Sequence, residues 1–209
     1  MLVLVVSDLH GHSVEPLVGI EGVDLLLMLG DVTTGAGLEK TKERIQTLRG
    51  AYPALYVISG NWERPQSAAW FQSEGLSLDE RAERFNGLLL FGLGGSIPTP
   101  FNTPNEFTED ELADKLTSCP EPEEDERLVI CSHNPPYGAC DRVFLGKRVG
   151  SKSLWTFIEK RKPDLVLCGH IHEARGIENI GPTIVLNPGS APKHYALIRI
   201  EKEISVALH

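Results

Sequence analysis

The sequence predicts a layered α/β fold. Three observations point there. Apolar runs of strand length recur at residues 2–6, 25–29, 55–58, 128–131 and 165–168. Helix-like stretches fall between them, at about residues 38–48, 108–116 and 153–160. A small cluster of glycine, carboxylate, imidazole or carboxamide follows each strand-like run. Unbroken apolar runs of four or five residues read as strands buried on both faces, and their alternation with helices favours βαβ units.

Taken in order, residues 2–6 lead into Ser7-Asp8-Leu9-His10. The polar interruption and the lack of a basic leader argue against a signal peptide. Residues 25–29 end at Gly30-Asp31, and residues 55–58 lead to Gly60-Asn61. Residues 38–48 spread charges among Leu38, Ile45 and Leu48, as a surface helix does. Three prolines within 98–105 imply a rigid loop, and Thr108-Glu109-Asp110-Glu111 has the spacing of a capping box opening a helix to about Leu116. Residues 121–127 are acidic and read as a solvated turn. Residues 128–131 run into Ser132-His133-Asn134-Pro135-Pro136. The helix at 153–160 is stopped by Pro163. Residues 165–168 then meet Gly169-His170-Ile171-His172. Short segments at 183–186, 195–200 and 204–208 have tight connections and suggest antiparallel pairing.

The 209 residues suit one domain spanning 1–209, with no linker or repeat. A formal net charge of -9 argues against general affinity for nucleic acid or anionic membrane. No apolar run approaches the roughly 18 residues needed to span a bilayer. The four cysteines, Cys119, Cys131, Cys140 and Cys168, show no C-x-x-C spacing and read as reduced, which suggests a cytoplasmic protein.

The strand-end clusters supply a ligand set. Asp8 and Asp31 offer hard anionic oxygens, Asn61 a neutral carbonyl, and His10, His133, His170 and His172 borderline nitrogens. This mixture suits Mn, Fe, Zn, Co or Ni, with too many imidazoles for Ca or Mg. Seven ligands exceed what one open-sided ion needs but suit two ions sharing a carboxylate. Residues two apart in extended chain point the same way, so Asp8 and His10 can serve one ion. The glycines Gly30, Gly60 and Gly169 permit sharp turns after a strand.

From Asp8 to Asn187-Pro188-Gly189-Ser190, the pattern resembles the calcineurin-like metallophosphoesterase superfamily, in particular its compact prokaryotic phosphodiesterases. The resemblance implies a four-layer αββα sandwich with two mixed β-sheets. It implies a first metal on Asp8, His10, Asp31 and His172, and a second on Asp31, Asn61, His133 and His170, with Asp31 bridging; manganese is favoured. A hydroxide held between two such cations would attack phosphorus in line with the leaving alkoxide. Asn61 would hold metal through its carbonyl and substrate through its amide. The expected substrate is a small phosphodiester, with a phosphomonoester second.

One position departs from the resemblance. The family often has a histidine directly after the asparagine; here it is Trp62, which cannot deliver a proton at neutral pH. General acid assistance is typically worth about 10²–10⁴-fold. Three expectations follow: His12 or His194 supplies the proton, metal-bound water does, or turnover is slow or absent. Trp62 can stack on an aromatic substrate group or simply close the pocket, Arg64 can contact phosphate or pair at the surface, and Phe101 can line the pocket or anchor its own loop. The competing class is a metal-binding or inactive interaction module, since a retromer subunit uses this fold chiefly as a scaffold. A nuclease lacks a basic track, and a serine hydrolase lacks the Gly-x-Ser-x-Gly elbow.

Overall fold

The apolar runs enter two sheets that stack face to face. A computed structural model describes residues 1–209. In chain order the elements are β1 (Leu2–Val6), β2 (Leu25–Met28), α1 (Leu38–Ala51), β3 (Leu55–Val57), α2 (Pro65–Ser73), β4 (Ala82–Phe85), β5 (Leu88–Leu93) and α3 (Glu109–Leu116). They continue with β6 (Arg127–Ser132), α4 (Lys152–Arg161), β7 (Leu165–Leu167), β8 (Gly176–Ile180), β9 (Thr183–Asn187), β10 (Ala196–Ile200) and β11 (Ile204–Leu208). The first sheet has the order β11-β10-β1-β2-β3 and the second β4-β5-β6-β7-β9-β8. Both are mixed. β1, β2 and β3 run parallel, as do β5, β6, β7 and β9.

Strand periodicity explains why these runs are apolar throughout. Alternate side chains of a strand face opposite ways. Leu4, Val6, Leu26 and Met28 pack with Ile45, Leu48 and Phe71 of the helices over the first sheet. Their neighbours Val3, Val5, Leu25 and Leu27 face Leu88, Leu90, Val129 and Leu167 of the second sheet. On the far side, Leu89, Phe91, Ile130 and Val166 meet Leu112, Leu116, Leu154 and Ile158 of α3 and α4. Three apolar interfaces separate four layers, which is the αββα arrangement. No helix is long and apolar enough to cross a membrane.

The helix signals hold at their start points. Thr108 caps α3 and Glu111 returns the bond, completing the capping box. α4 opens on Ser151, whose Oγ accepts from the Leu154 N–H. It ends in a left-handed residue, Lys162, just before Pro163. The last third partly departs from expectation. β10 and β11 are antiparallel, but β9 pairs parallel with β7 and antiparallel only with β8. β5, next to the edge strand of the second sheet, together with β4, β8 and α2, does not follow from the sequence pattern.

Candidate metal centre

Parallel strands deliver their carboxyl ends to one edge. Asp8, Asp31 and Asn61 therefore follow β1, β2 and β3 closely, and His133 and His170 follow β6 and β7. Backbone bonds lace these loops together: Asp8 N–H donates to Gly30 O at 3.1 Å and His10 N–H to Asp31 O at 2.8 Å. Asp8, His10, Asp31 and His170 adopt φ values of 54°, 47°, 53° and 66°. Left-handed backbone costs a non-glycine residue of order 1 kcal/mol, and such residues cluster where side chains must be aimed.

The glycines do two different jobs. Gly30 has φ 91° and also leaves no room for a Cβ, which would lie 2.5 Å from Gly60 N and 2.7 Å from His133 Nδ1. Gly60 and Gly169 have no positive φ, so they are required by close approach rather than by a turn. A Cβ at Gly60 would lie 2.6 Å from Asp31 Cγ, and one at Gly169 2.6 Å from Asp8 Oδ2.

The seven side chains singled out in the sequence converge. His10 Nε2 lies 3.1 Å from His172 Nε2. Asp8 Oδ1 is 3.3 Å from His172 Nε2 and 3.8 Å from His10 Nε2. Asp31 Oδ2 faces both halves of the cluster, 3.8 Å from His10 Nε2 and 3.4 Å from His133 Nε2. Asn61 Oδ1 lies 2.9 Å from both His133 Nε2 and His170 Nδ1. Asp8, Asp31, Asn61 and His133 are buried, whereas His10 is half-buried and His172 exposed.

This arrangement demands positive charge. His133 Nδ1 lies 2.6 Å from the Leu29 carbonyl, an acceptor that keeps a proton on that nitrogen. Its Nε2 then faces two further acceptors, Asn61 Oδ1 and Asp31 Oδ2. A second proton or a cation must sit among them. Burial opposes a charged ring, but the charge of Asp31 overcomes it and raises His133 to about 10. His170 moves the other way, to about 4, through burial and the neighbouring His133 charge. Burial would raise Asp8, yet the His172 ring and the His133 charge hold it well below the usual carboxylate range. Asp8 Oδ1 is a buried oxygen with no hydrogen-bond partner. Asp8 Oδ2 accepts the His170 N–H at 2.9 Å, but a buried carboxylate oxygen without a donor is costly unless a cation meets it, so these residues fit a divalent metal. Two candidate groups satisfy ligand spacing: Asp8, His10 and His172, and Asp8, Asp31 and His133.

A supporting ring of residues holds these ligands in place. Glu63 is buried, and its carboxylate accepts N–H bonds from Gly60 (2.6 Å), Asp31 (2.7 Å), Val32 (2.9 Å) and Thr33 (3.4 Å). It ties the loop after β2 to the loop after β3. Burial and the Asp31 charge push its pKa up to about 8, against donors that favour the anion. Asn61 Nδ2 donates to Thr103 Oγ1 at 3.0 Å, and Thr103 Oγ1 donates to Glu106. That relay turns the Asn61 carbonyl toward the histidines. Ser190 Oγ donates to Asp8 O at 2.7 Å, while Asn187 holds Gly169 O and Ile171 O. The sequence offers Glu63 as pairing with its loop or meeting substrate, and its carboxylate bonds the loop backbone.

The family model for calcineurin-like phosphoesterases matches residues 1–174. The chain belongs to the calcineurin-like phosphoesterases. The uncharacterized protein MJ1162 of Methanocaldococcus jannaschii is 36% identical, covering 99% of this chain and 95% of its own length. Among solved structures, TT1561 of Thermus thermophilus superposes with a TM-score of 0.76 at 19% identity, covering 99% of this chain and 97% of that one. A dimetal phosphatase from Danio rerio gives 0.64 at 12% identity, covering 100% and 95%. At these identities the two structures bear on the fold alone.

Two clefts border this calcineurin-like centre, and they share no lining residue. One, of about 620 Å³, brings His172 together with His12, Lys193 and His194. The other, of about 710 Å³, is bordered by His170 and Phe101. Trp62 and Arg64 line neither; Trp62 N–H donates to Asp31 Oδ1 at 2.9 Å, and both side chains lie about 4 Å from the Cβ position of Gly35. His10 Nδ1 contacts Thr34 Oγ1 at 3.1 Å beside the same turn.

Proposed function

We propose that this chain is a dinuclear-metal-dependent phosphoesterase acting on a small phosphorylated substrate, a phosphodiester in preference to a monoester. The observation that carries the reading is the convergence of seven ligand groups in two halves joined at Asp31, with Asp8 Oδ1 lacking a hydrogen-bond partner among them. Asp8, His10, Asp31 and His172 would hold one ion and Asp31, Asn61, His133 and His170 the other. Asp31 is the bridge in this scheme because its Oδ2 faces His10 and His133 together. Manganese is favoured, with Fe, Zn, Co and Ni as the other ions that such N/O ligands accept. When bound, the ions supply Lewis acidity toward phosphate oxygens and lower the pKa of water. The cytoplasmic setting belongs to the same reading and rests on the cysteine pattern.

The chain's own residues account for the rest. The Thr103 bond commits one Asn61 amide proton and leaves the other for substrate. Trp62 contributes its backbone N–H to Asp31, and its indole has no acidic proton to give. His12 and His194 share a cleft with His172, which supports either as the source of the leaving-group proton. Two separate clefts beside one centre favour a phosphorus carrying two organic substituents. Trp62 also keeps a second reading in play, a metal-binding interaction module without turnover.

The test is metal analysis combined with hydrolysis of an aryl phosphodiester and an aryl monoester, with Asp31→Asn beside the unaltered chain. Two ions per chain, diester hydrolysis, and its loss in Asp31→Asn support the proposal. Two bound ions without hydrolysis of any phosphoester favour the module. Equal activity in both chains means that the hydrolysis does not come from this centre and ends the enzyme reading.

A further inference from the structure

We propose that the phosphoester served by this centre carries an apolar substituent, aryl or alkyl, seated between residues 97–101 and 143–149. The inference rests on the phosphoesterase reading of the same site. The cleft encloses about 710 Å³, with Ile97, Pro98, Phe101, Val143, Val149 and Ile171 on its walls. That size and an apolar lining with few polar groups are typical of small-molecule pockets. Lys147 and Glu173 are its charged members, and His170 forms the wall it shares with the metal centre. A group bonded to a phosphorus held at that centre therefore has an apolar channel beside it. The opposite cleft offers His12, Lys193 and His194 instead, so the two sides of the phosphate meet unlike chemistry.

Phe101 is the aromatic residue of the cleft wall. Its side chain is 76% exposed, although its loop is well anchored. Phe101 N–H donates to Thr99 Oγ1 at 3.1 Å, and Thr99 Oγ1 donates to Glu106 at 2.6 Å. Glu106 also receives Thr103, which orients Asn61. One hydrogen-bonded unit thus sets both the aromatic wall and a candidate metal ligand. An uncovered aromatic ring on an anchored backbone gains from covering by an apolar ligand group. Phe144 and Leu145 are also exposed, at 80% and 92%, but neither lines the cleft.

The experiment is calorimetric titration of the metal-loaded chain with methyl-, butyl-, hexyl- and phenylphosphonate, whose C–P bonds resist hydrolysis. Aryl diester hydrolysis is measured alongside. Burial of each methylene should tighten Kd by about two- to four-fold. Phe101→Ser should flatten the series, whereas Phe144→Ser should keep the original slope. A flat series in a chain that hydrolyses the diester overturns the apolar subsite and leaves the hydrolase reading intact. A rising series, lost in Phe101→Ser, in a chain that hydrolyses nothing supports the subsite and ends the hydrolase reading. A slope lost in Phe144→Ser but kept in Phe101→Ser moves the contact to the loop tip and overturns the proposal. Failure of every phosphonate to bind overturns the subsite, and together with absent hydrolysis it overturns the hydrolase reading as well.

Discussion

Replacing Glu63 by glutamine should weaken the fold and the metal centre together. The side chain keeps its shape, but only one of its two terminal atoms can still accept a hydrogen bond. In the native loop Oε2 takes the N–H groups of Gly60 and Asp31, and Oε1 those of Val32 and Thr33. Whichever way the amide turns, its NH₂ faces two backbone N–H groups. Each buried donor left unpaired costs about 1–3 kcal/mol, and above the Glu63 pKa of about 8 loss of a buried charge returns part of that. The net loss is about 2–4 kcal/mol, which for a chain of this size lowers Tm by roughly 5–15 °C. Asp31 sits on the disturbed loop, so metal affinity should fall about 10–100-fold, as for other outer-shell changes. Scanning calorimetry of the metal-free chain and metal titration measure the two effects separately. A Tm drop below roughly 2 °C together with unchanged metal affinity would refute the reasoning.

The remaining predictions concern close approach, protons and charge. Gly60→Ala puts a Cβ against the Asp31 carboxylate; it should cost about 1–3 kcal/mol of stability and lower metal occupancy, and elemental analysis of the purified variant checks this. Alanine replacement of His12 and of His194, one at a time, should remove the basic limb of the pH–rate profile for a poor leaving group in whichever variant loses the proton donor; unchanged profiles in both would eliminate these residues. The lowered His170 pKa, about 4, means that the unfolded chain binds the proton more readily. Its stabilising contribution is therefore complete above about pH 6.5 and is lost as pH falls toward 4, by at most about 1.4 kcal/mol per pH unit. Urea midpoints of the metal-free chain between pH 7 and pH 4 should show a shallower decline in His170→Asn, and identical slopes would contradict the assignment.

How much was readable depended on how local each cause is. The capping box at Thr108 and Glu111 closes within four residues, so it stands in the sequence as it stands in the helix. Runs such as 2–6 and 25–29 declare themselves because both their faces are buried. β8 did not, because three of its five residues are exposed and its run is Gly-Ile-Glu-Asn-Ile. β5 is as apolar as any strand here, but Gly94-Gly95-Ser96 after it carries no chemistry to draw notice. The direction of β9 was not legible either, since pairing with β7 is decided by a neighbour rather than by the strand itself.

The same division runs through the site. Which side chains can bind a divalent ion is a matter of residue chemistry, and Asp8, His10, Asp31, Asn61, His133, His170 and His172 are legible as such one by one. Whether a charge in a loop faces water or the interior is not a property of that residue. Glu63 is buried because N–H groups from two loops some thirty positions apart converge on it. Composition and pattern thus set which atoms were available, while burial, register and the meeting of distant loops set what each atom faces, because those depend on partners that only folding brings near.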